Sequence, residues 1–389
     1  MRKNLIFSIW AALAVMGMAS CNRQEEAIPL PKDVSDAETG LVHIQVNAPA
    51  APGILTKVDG TAPQKDNERK VNSLQVFIFK KNGDVPASNP LEADKYVSDA
   101  TSTILNSLTG AKSIWAVVNA PRLYGIRTEK QLMETVSTLS ENRADNLVMT
   151  GQSSANVLQY NASDNGNVGN ITPVSIGVER LCARISLHSV AANFSGTSLE
   201  DASLSLLEAY LINVPASCTL DGTPLSAGEL GHDTAWYNFR QLGASADEQL
   251  LNDTHKLLRE SGLSFSIDPT DATVGTTVDK YFYVYPNVST AKSDEVSPSA
   301  RMTRLILHMY IGATKDGRAA RDSYYSFNIP VFGSGKTIER NHIYNISKIT
   351  ITNEGSPVPP PFPDMEYGKV NATVTVGEWG ATETLTYEL

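Results

Sequence analysis

Apolar and polar residues alternate with a period of two along most of this chain, and that spacing restricts it to strands that bury one face. In "LVHIQVN", Val42, Ile44 and Val46 fall on one side, with His43 and Gln45 on the other. Leu74, Val76 and Ile78 repeat the pattern in "VNSLQVFIFKKNGDV", where Asn82-Gly83 is a strong turn signal. "SIWAVVNAP", from residue 113, predicts a buried strand ended by Pro121, and "LVMTGQSSANVLQY" and "ITPVSIGV" are further strand candidates. One segment keeps helical spacing instead. In "TEKQLMETVSTLS", Thr128 and Gln131 fit a capping box, and Leu132, Met133, Val136 and Leu139 line one face.

A second alternating set begins at "VERLCARISLHSV" with Leu181, Ala183, Ile185 and Leu187, which places a boundary near residue 179. No flexible linker intervenes, so the two halves are expected to pack together. "LSLLEAYLINVP", "KYFYVYPN", "TRLILHMYIGA", "SYYSFNIPVF" and "HIYNISKITI" continue the strands, and "DEQLLNDTHKLLRES" predicts a short helix. No period of 20 to 50 residues marks a solenoid or propeller. The expected fold is all-β, with two tandem β-sandwiches over residues 58–178 and 179–356. With 389 residues, 41% hydrophobic and 19% charged, the chain has enough apolar content for both cores. Its formal charge of -10 disfavours nucleic acid and anionic membrane surfaces as partners.

Beyond residue 356 stands the stiff spacer "PVPPPFPD", then "KVNATVTVGEW". Val370, Ala372, Val374 and Val376 alternate with polar residues, so this strand needs a partner to cover one face. The spacer is expected to hold it clear of its own sheet.

Residues 1–20 have the basic start, apolar run and small residues of a signal peptide, and take no part in the fold. The run ends at "MASC", which resembles a bacterial lipobox and makes Cys21 the expected lipidated N-terminus. Glu25 and Glu26 follow, resembling a signal for the outer face of the outer membrane in Bacteroidetes. Cys182 and Cys218 remain in the mature chain and are expected as free thiols.

No motif for chemistry survives inspection. "GSGKT" at 333–337 looks like the end of a phosphate loop, but the position that needs the first glycine is Pro330. No two of the six histidines are spaced as a zinc pair, and no "GxSxG" elbow occurs. "DGTPLSAGE" and "DNGNVGN" lack the order of a calcium loop. No cofactor, metal or enzymatic activity is expected.

"GKTIERNHIYNISKITI" at 335–351, the proline-rich spacer and "VNATVTVGEW" resemble the C-terminal signature of the fimbrillin family, the major fimbrial subunits of Bacteroidales type V pili. "LVMTG" at 147–151, "VERLCARISL" with Arg180 and Ala183, "NVP" at 213–215 and "YVYPN" at 283–287 follow in the family's order. The resemblance implies two transthyretin-like β-sandwiches with a C-terminal donor-strand extension (357–389). It also implies export as a lipoprotein, anchorage in the outer membrane by lipid alone, and assembly into a fimbrium that supports adhesion. A propeptide (21–57) with the first strand, Val42, Ile44 and Val46, is removed by proteolysis. The scissile bond is expected after Lys57, before Val58, with Arg69 and Lys70 as second choice. The groove left behind takes Val370, Ala372, Val374 and Val376 from the next subunit, with Trp379 as an anchor. Partners implied are identical subunits, accessory fimbrial subunits and a host or bacterial surface ligand. The alternative is a tip or accessory adhesin binding a host or glycan ligand, for which Tyr281, Tyr283, Tyr285, Tyr324 and Tyr325 offer stacking surfaces.

Overall fold

The computed structural model describes residues 39–48, 66–159, 171–223, 236–237, 258–288, 302–329, 337–359, 370–378 and 383–388, all within one compact unit, Glu38–Leu389. The first half contributes β1 (Thr39–Asn47), β2 (Ser73–Lys80), β3 (Leu91–Ser98), β4 (Ser102–Leu108), β5 (Gly110–Val118), α1 (Glu129–Met133), β6 (Val136–Thr138), β7 (Met149–Val157), β8 (Ile171–Gly177) and β9 (Glu179–Arg180). Next come β10 (Ala183–Ala192), β11 (Leu204–Ile212), β12 (Val214–Pro215), β13 (Ser217–Thr219), β14 (Trp236–Tyr237), β15 (Arg259–Glu260) and β16 (Phe265–Ile267). The chain continues through β17 (Thr276–Val284), β18 (Arg304–Ile311), β19 (Arg321–Asn328), β20 (His342–Ile351), β21 (Val370–Glu378) and β22 (Glu383–Glu388).

Two sheets form the first sandwich. The smaller has the order β4-β1-β8 and the larger β3-β2-β5-β7-β9. Val42, Ile44 and Val46 of β1 share a core with Leu74, Val76 and Ile78 of β2 and with Ile114 and Ala116 of β5. These are the alternating residues of the sequence. β2 is buried on both faces, because Phe77 and Phe79 point away from this core into a second one.

That second core fills the space between the sheets β17-β10-β20-β21-β22 and β15-β11-β18-β19, with β16 also pairing β11. Ile185 and Phe282 meet Leu206, Leu307 and Phe327 there. Trp115, Leu132, Leu139 and Val148 from the first half join the same cluster, so the halves share apolar packing. Only Leu181 and Cys182 separate β9 of one sheet from β10 of another, and both are fully buried. The all-β tandem-sandwich expectation is borne out.

The predicted helix is shorter than its spacing implied. Thr128 does cap it, accepting from the Gln131 amide at 3.3 Å, but the Gln131 side chain accepts from the Arg127 amide instead. After Met133 the chain extends, and Val136–Thr138 pairs with Ser217–Thr219. β-Branched Thr135, Val136 and Thr138 disfavour continued helix, and a strand from the other half gives their backbone a partner. Most of "DEQLLNDTHKLLRES" lies outside the described residues; its end, Arg259–Glu260, is strand. The C-terminal strand is not held clear of its own sheet. β21 lies antiparallel to β20, from Ile351↔Val370 to His342↔Glu378, and β22 pairs with its far side. An uncovered β20 would present a row of unpaired amides and carbonyls, which this pairing satisfies.

Candidate functional site

β1 is the centre of its sheet, antiparallel to β4 and parallel to β8. Val42 lies opposite Leu105 and Thr172, and Ile44 opposite Thr103 and Val174. Val42 and Ile44 are fully buried and Val46 nearly so. Each is worth roughly 1.5–3 kcal/mol of apolar burial. Withdrawing β1 therefore uncovers an apolar trough and leaves two strands with unsatisfied backbone edges, a template for another strand. At the entry, Gly40 runs so close to β7 that an added Cβ would stand 2.2 Å from the Leu158 carbonyl oxygen and 2.5 Å from Val157 Cγ1. His43 faces solvent on the outer side, as its alternation predicts.

β21 has the same length as β1, nine residues. Val370, Ala372, Val374 and Val376 all lie on it. Trp379, Cys21, Lys57 and Val58 lie outside the described residues.

Arg69 and Lys70 do fall within the structure, at the end of a 3-10 turn, Asp66–Arg69. Their surroundings are fixed. The buried Glu68 carboxylate accepts from Arg184 Nη1 at 2.7 and 2.9 Å and from the Tyr283 hydroxyl at 2.7 Å. The Glu68 carbonyl accepts from Arg180 Nε at 3.1 Å, and the Lys70 carbonyl from Asn119 Nδ2 at 2.7 Å. Arg180 in turn donates to Asn341 Oδ1 at 3.1 Å. Burial lowers Arg180 to about 10 and, with the Glu68 charge beside it, pushes the Tyr283 hydroxyl well up. Nothing in the sequence around Glu68 singles it out, because its partner lies 116 positions away.

The tyrosines are mostly committed to the fold. Tyr285 is buried and donates to the Thr138 carbonyl at 3.0 Å while accepting from Asn142 Nδ2 at 2.8 Å. Tyr325 is buried and donates to the Asn353 carbonyl at 3.0 Å. Tyr324 stacks on His308 at 4.4 Å. Cys182 and Cys218 are free and buried, and burial raises both thiols, Cys182 to about 12. Among the described residues no group of three His, Cys, Asp or Glu side chains is placed to hold a metal ion, and no helix is long and apolar enough to cross a membrane.

Residues 44–180 match the family model described as major fimbrial subunit protein (FimA). No curated protein matches the chain significantly. Among solved structures, a candidate cell adhesion protein from Bacteroides eggerthii shares 20% identity over 88% of this chain and 97% of its own, with a TM-score of 0.59. A second from Parabacteroides distasonis shares 17% identity over 88% of this chain and 99% of its own, also at 0.59. A fimbrilin from Porphyromonas gingivalis W83 shares 15% identity over 90% of this chain and 98% of its own, at 0.54. At these identities the structures establish a common fold. The fimbrillin resemblance read from the sequence is borne out by the family match and by that fold.

Proposed function

We propose that this chain is the structural subunit of a cell-surface fimbria, exported as a lipoprotein through Cys21, cut after its first strand, and polymerised by donation of its C-terminal strand to the next subunit. The observation that carries the reading is the position of β1. It is the central strand of a three-stranded sheet, with Val42, Ile44 and Val46 in the core, so its loss leaves a vacancy of one strand. A strand of the same length waits near the other end of the chain. In the unassembled subunit β21 rests on β20, and donation exchanges that pairing for the deeper trough in a neighbour. Adhesion, whether to a host or to another bacterium, is a property of the assembled fibre.

The maturation bond follows Lys57 in this reading. A cut between Arg69 and Lys70 fits poorly, because it severs Glu68 from the chain that follows and leaves Arg184 to face a buried site without its covalently held carboxylate. Release of strand β1 moves the lipid-anchored segment away from the subunit, which passes from outer membrane to fimbrium.

Deleting residues 365–389 tests the proposal. The expected result is an exported, folded monomer by circular dichroism that never enters polymer. Normal amounts of fibre from that variant would overturn it, and immunogold label confined to fibre ends would reassign the chain as a tip adhesin.

A further inference from the structure

The wall beside Gly40 selects the register in which a donated strand can enter. Leu158 O and Val157 Cγ1 stand where a side chain at position 40 would go, and one of the two is a backbone atom that cannot swing aside. The wall does not depend on β1 for its place. Val157 pairs with Gly110 of β5, and the Leu158 amide donates to Thr172 Oγ1 of β8 at 3.2 Å. A strand replacing β1 therefore needs glycine at position 40 and apolar side chains at 42, 44 and 46, which are all buried.

Three glycines, Gly368, Gly377 and Gly380, lie in the C-terminal extension. Running in the direction of β1, Gly368 brings Val370, Ala372 and Val374 into the three core positions. Gly377 brings Trp379, Ala381 and Glu383, and Gly380 brings Thr382, Thr384 and Thr386. In the reverse direction Gly368 and Gly380 each bury a glutamate, Glu366 or Glu378, at the Val42 position, and Gly377 buries Thr375, Thr373 and Asn371. A buried unpaired carboxylate or a row of polar groups costs more than the trough returns. Only the first alignment meets both conditions, and it sets "GKVNATVT" on "GLVHIQVN". Lys369 then takes the 8%-exposed position of Leu41 on the outer face beside exposed His43, where its stem covers apolar surface and its ammonium reaches solvent.

We propose that Gly368 of one copy takes the place of Gly40 in the next, so that Val370, Ala372 and Val374 fill the positions of Val42, Ile44 and Val46. This rests on the strand-donation reading and fixes its register. Val376 then lies beyond the Asn47 end of the trough. Ala372 fills the Ile44 niche only in part, so the glycine, rather than the largest apolar contact, sets the register.

Paired cysteines in the full-length chain read the register directly. His43 faces Ile104 across β1 and β4. In the proposed register Asn371 takes the His43 position, whereas Thr373 takes it if Val370 replaces Gly40. Polymers carrying I104C with N371C should form a disulfide-linked ladder on non-reducing gels, and polymers carrying I104C with T373C should not. In parallel, G368A should lower the polymer yield by roughly tenfold or more through overpacking at the wall. G377A, outside the trough, should leave the yield unchanged. A ladder from the Thr373 pair, or normal polymer from G368A, overturns the register. Polymer that forms with neither ladder also overturns the register, whereas polymer that forms after deletion of residues 365–389 overturns strand donation itself.

Discussion

Arg184 and Glu68 are locked together out of contact with solvent: one guanidinium nitrogen donates to both carboxylate oxygens, at 2.7 and 2.9 Å, and the two side chains are 1% and 0% exposed. Glu68 precedes β2 of the first sandwich, while Arg184 lies on β10 of the second. The pair therefore ties the two halves together at the 3-10 turn before β2. Removing one partner from such a pair typically costs about 3–5 kcal/mol, because the remaining charge stays buried. E68A is expected to lower the unfolding free energy in urea by about that amount, and R184M added to E68A to recover part of it. Equal stability of E68A and the parent would show that the junction does not depend on this pair.

The buried thiols and phenols give the fold an alkaline limit. Cys182 is raised by burial from 9.0 to about 12, so between those values the folded chain keeps a proton that the unfolded chain has released. That contribution is intact below pH 9 and is lost as pH climbs through the window. Burial raises Cys218, Tyr283, Tyr285 and Tyr344 in the same sense, and Tyr325 from 10.0 to about 12. Arg180, lowered by burial from 12.5 to about 10, and Arg304, also lowered by burial, act the other way. Stability should therefore decline above about pH 9. Each linked group contributes a slope of about 1.4 kcal/mol per pH unit, and C182A should flatten the decline by that much. Urea titrations across this range check both statements.

Most strands were legible because one face of each is buried, and the alternation of Val42, Ile44 and Val46 or of Leu74, Val76 and Ile78 records it directly. What single-sequence periodicity missed depends on contacts between distant segments. Val136 to Thr138 reads as helix until Ser217 to Thr219 supplies a strand for it. Asn119, Asn213 and Asn341 take left-handed backbone at φ 61, 56 and 56, and each anchors a loop by its side chain. Asn213 and Arg180 belong to short landmarks recognised in the sequence, but their roles as buried connectors needed coordinates. Nothing in the sequence singles out Gly40, and only the carbonyl of Leu158 shows why it is glycine.

Glu129 is a buried carboxylate surrounded by side-chain donors. Asn89 Nδ2 and Ser113 Oγ lie at 2.5 Å, and Trp115 Nε1 and Gln152 Nε2 at 2.8 Å. These contacts fasten α1 and the loop before β3 onto the face of β5 and β7. E129Q exchanges an acceptor oxygen for an amide donor in a site whose four neighbouring side chains all donate to the carboxylate. The expected cost is about 1–3 kcal/mol, with a shifted Trp115 emission. W115F, which removes one donor and keeps most of the ring packing, should cost less. A reversed order would show that ring packing, and not the carboxylate, holds this face.

In the proposed maturation, Ile44 distinguishes the precursor from the processed subunit. In the precursor its side chain is fully buried between Thr103 and Val174, so I44A should destabilise the uncut chain by about 2–5 kcal/mol. If the proposed cut after Lys57 releases β1, position 44 is no longer part of the subunit, and the same substitution should leave fibres sheared from cells with parental resistance to denaturant. Comparing the two forms needs only uncut protein and sheared fibre from one strain. An equal loss in both would mean that β1 stays in its trough throughout, which removes the vacancy on which assembly by strand donation depends. A loss confined to the precursor places the substitution on the discarded side of the maturation bond, and Val374 of the incoming copy, at position 46 in the register argued above, becomes the residue whose truncation weakens the fibre in its place.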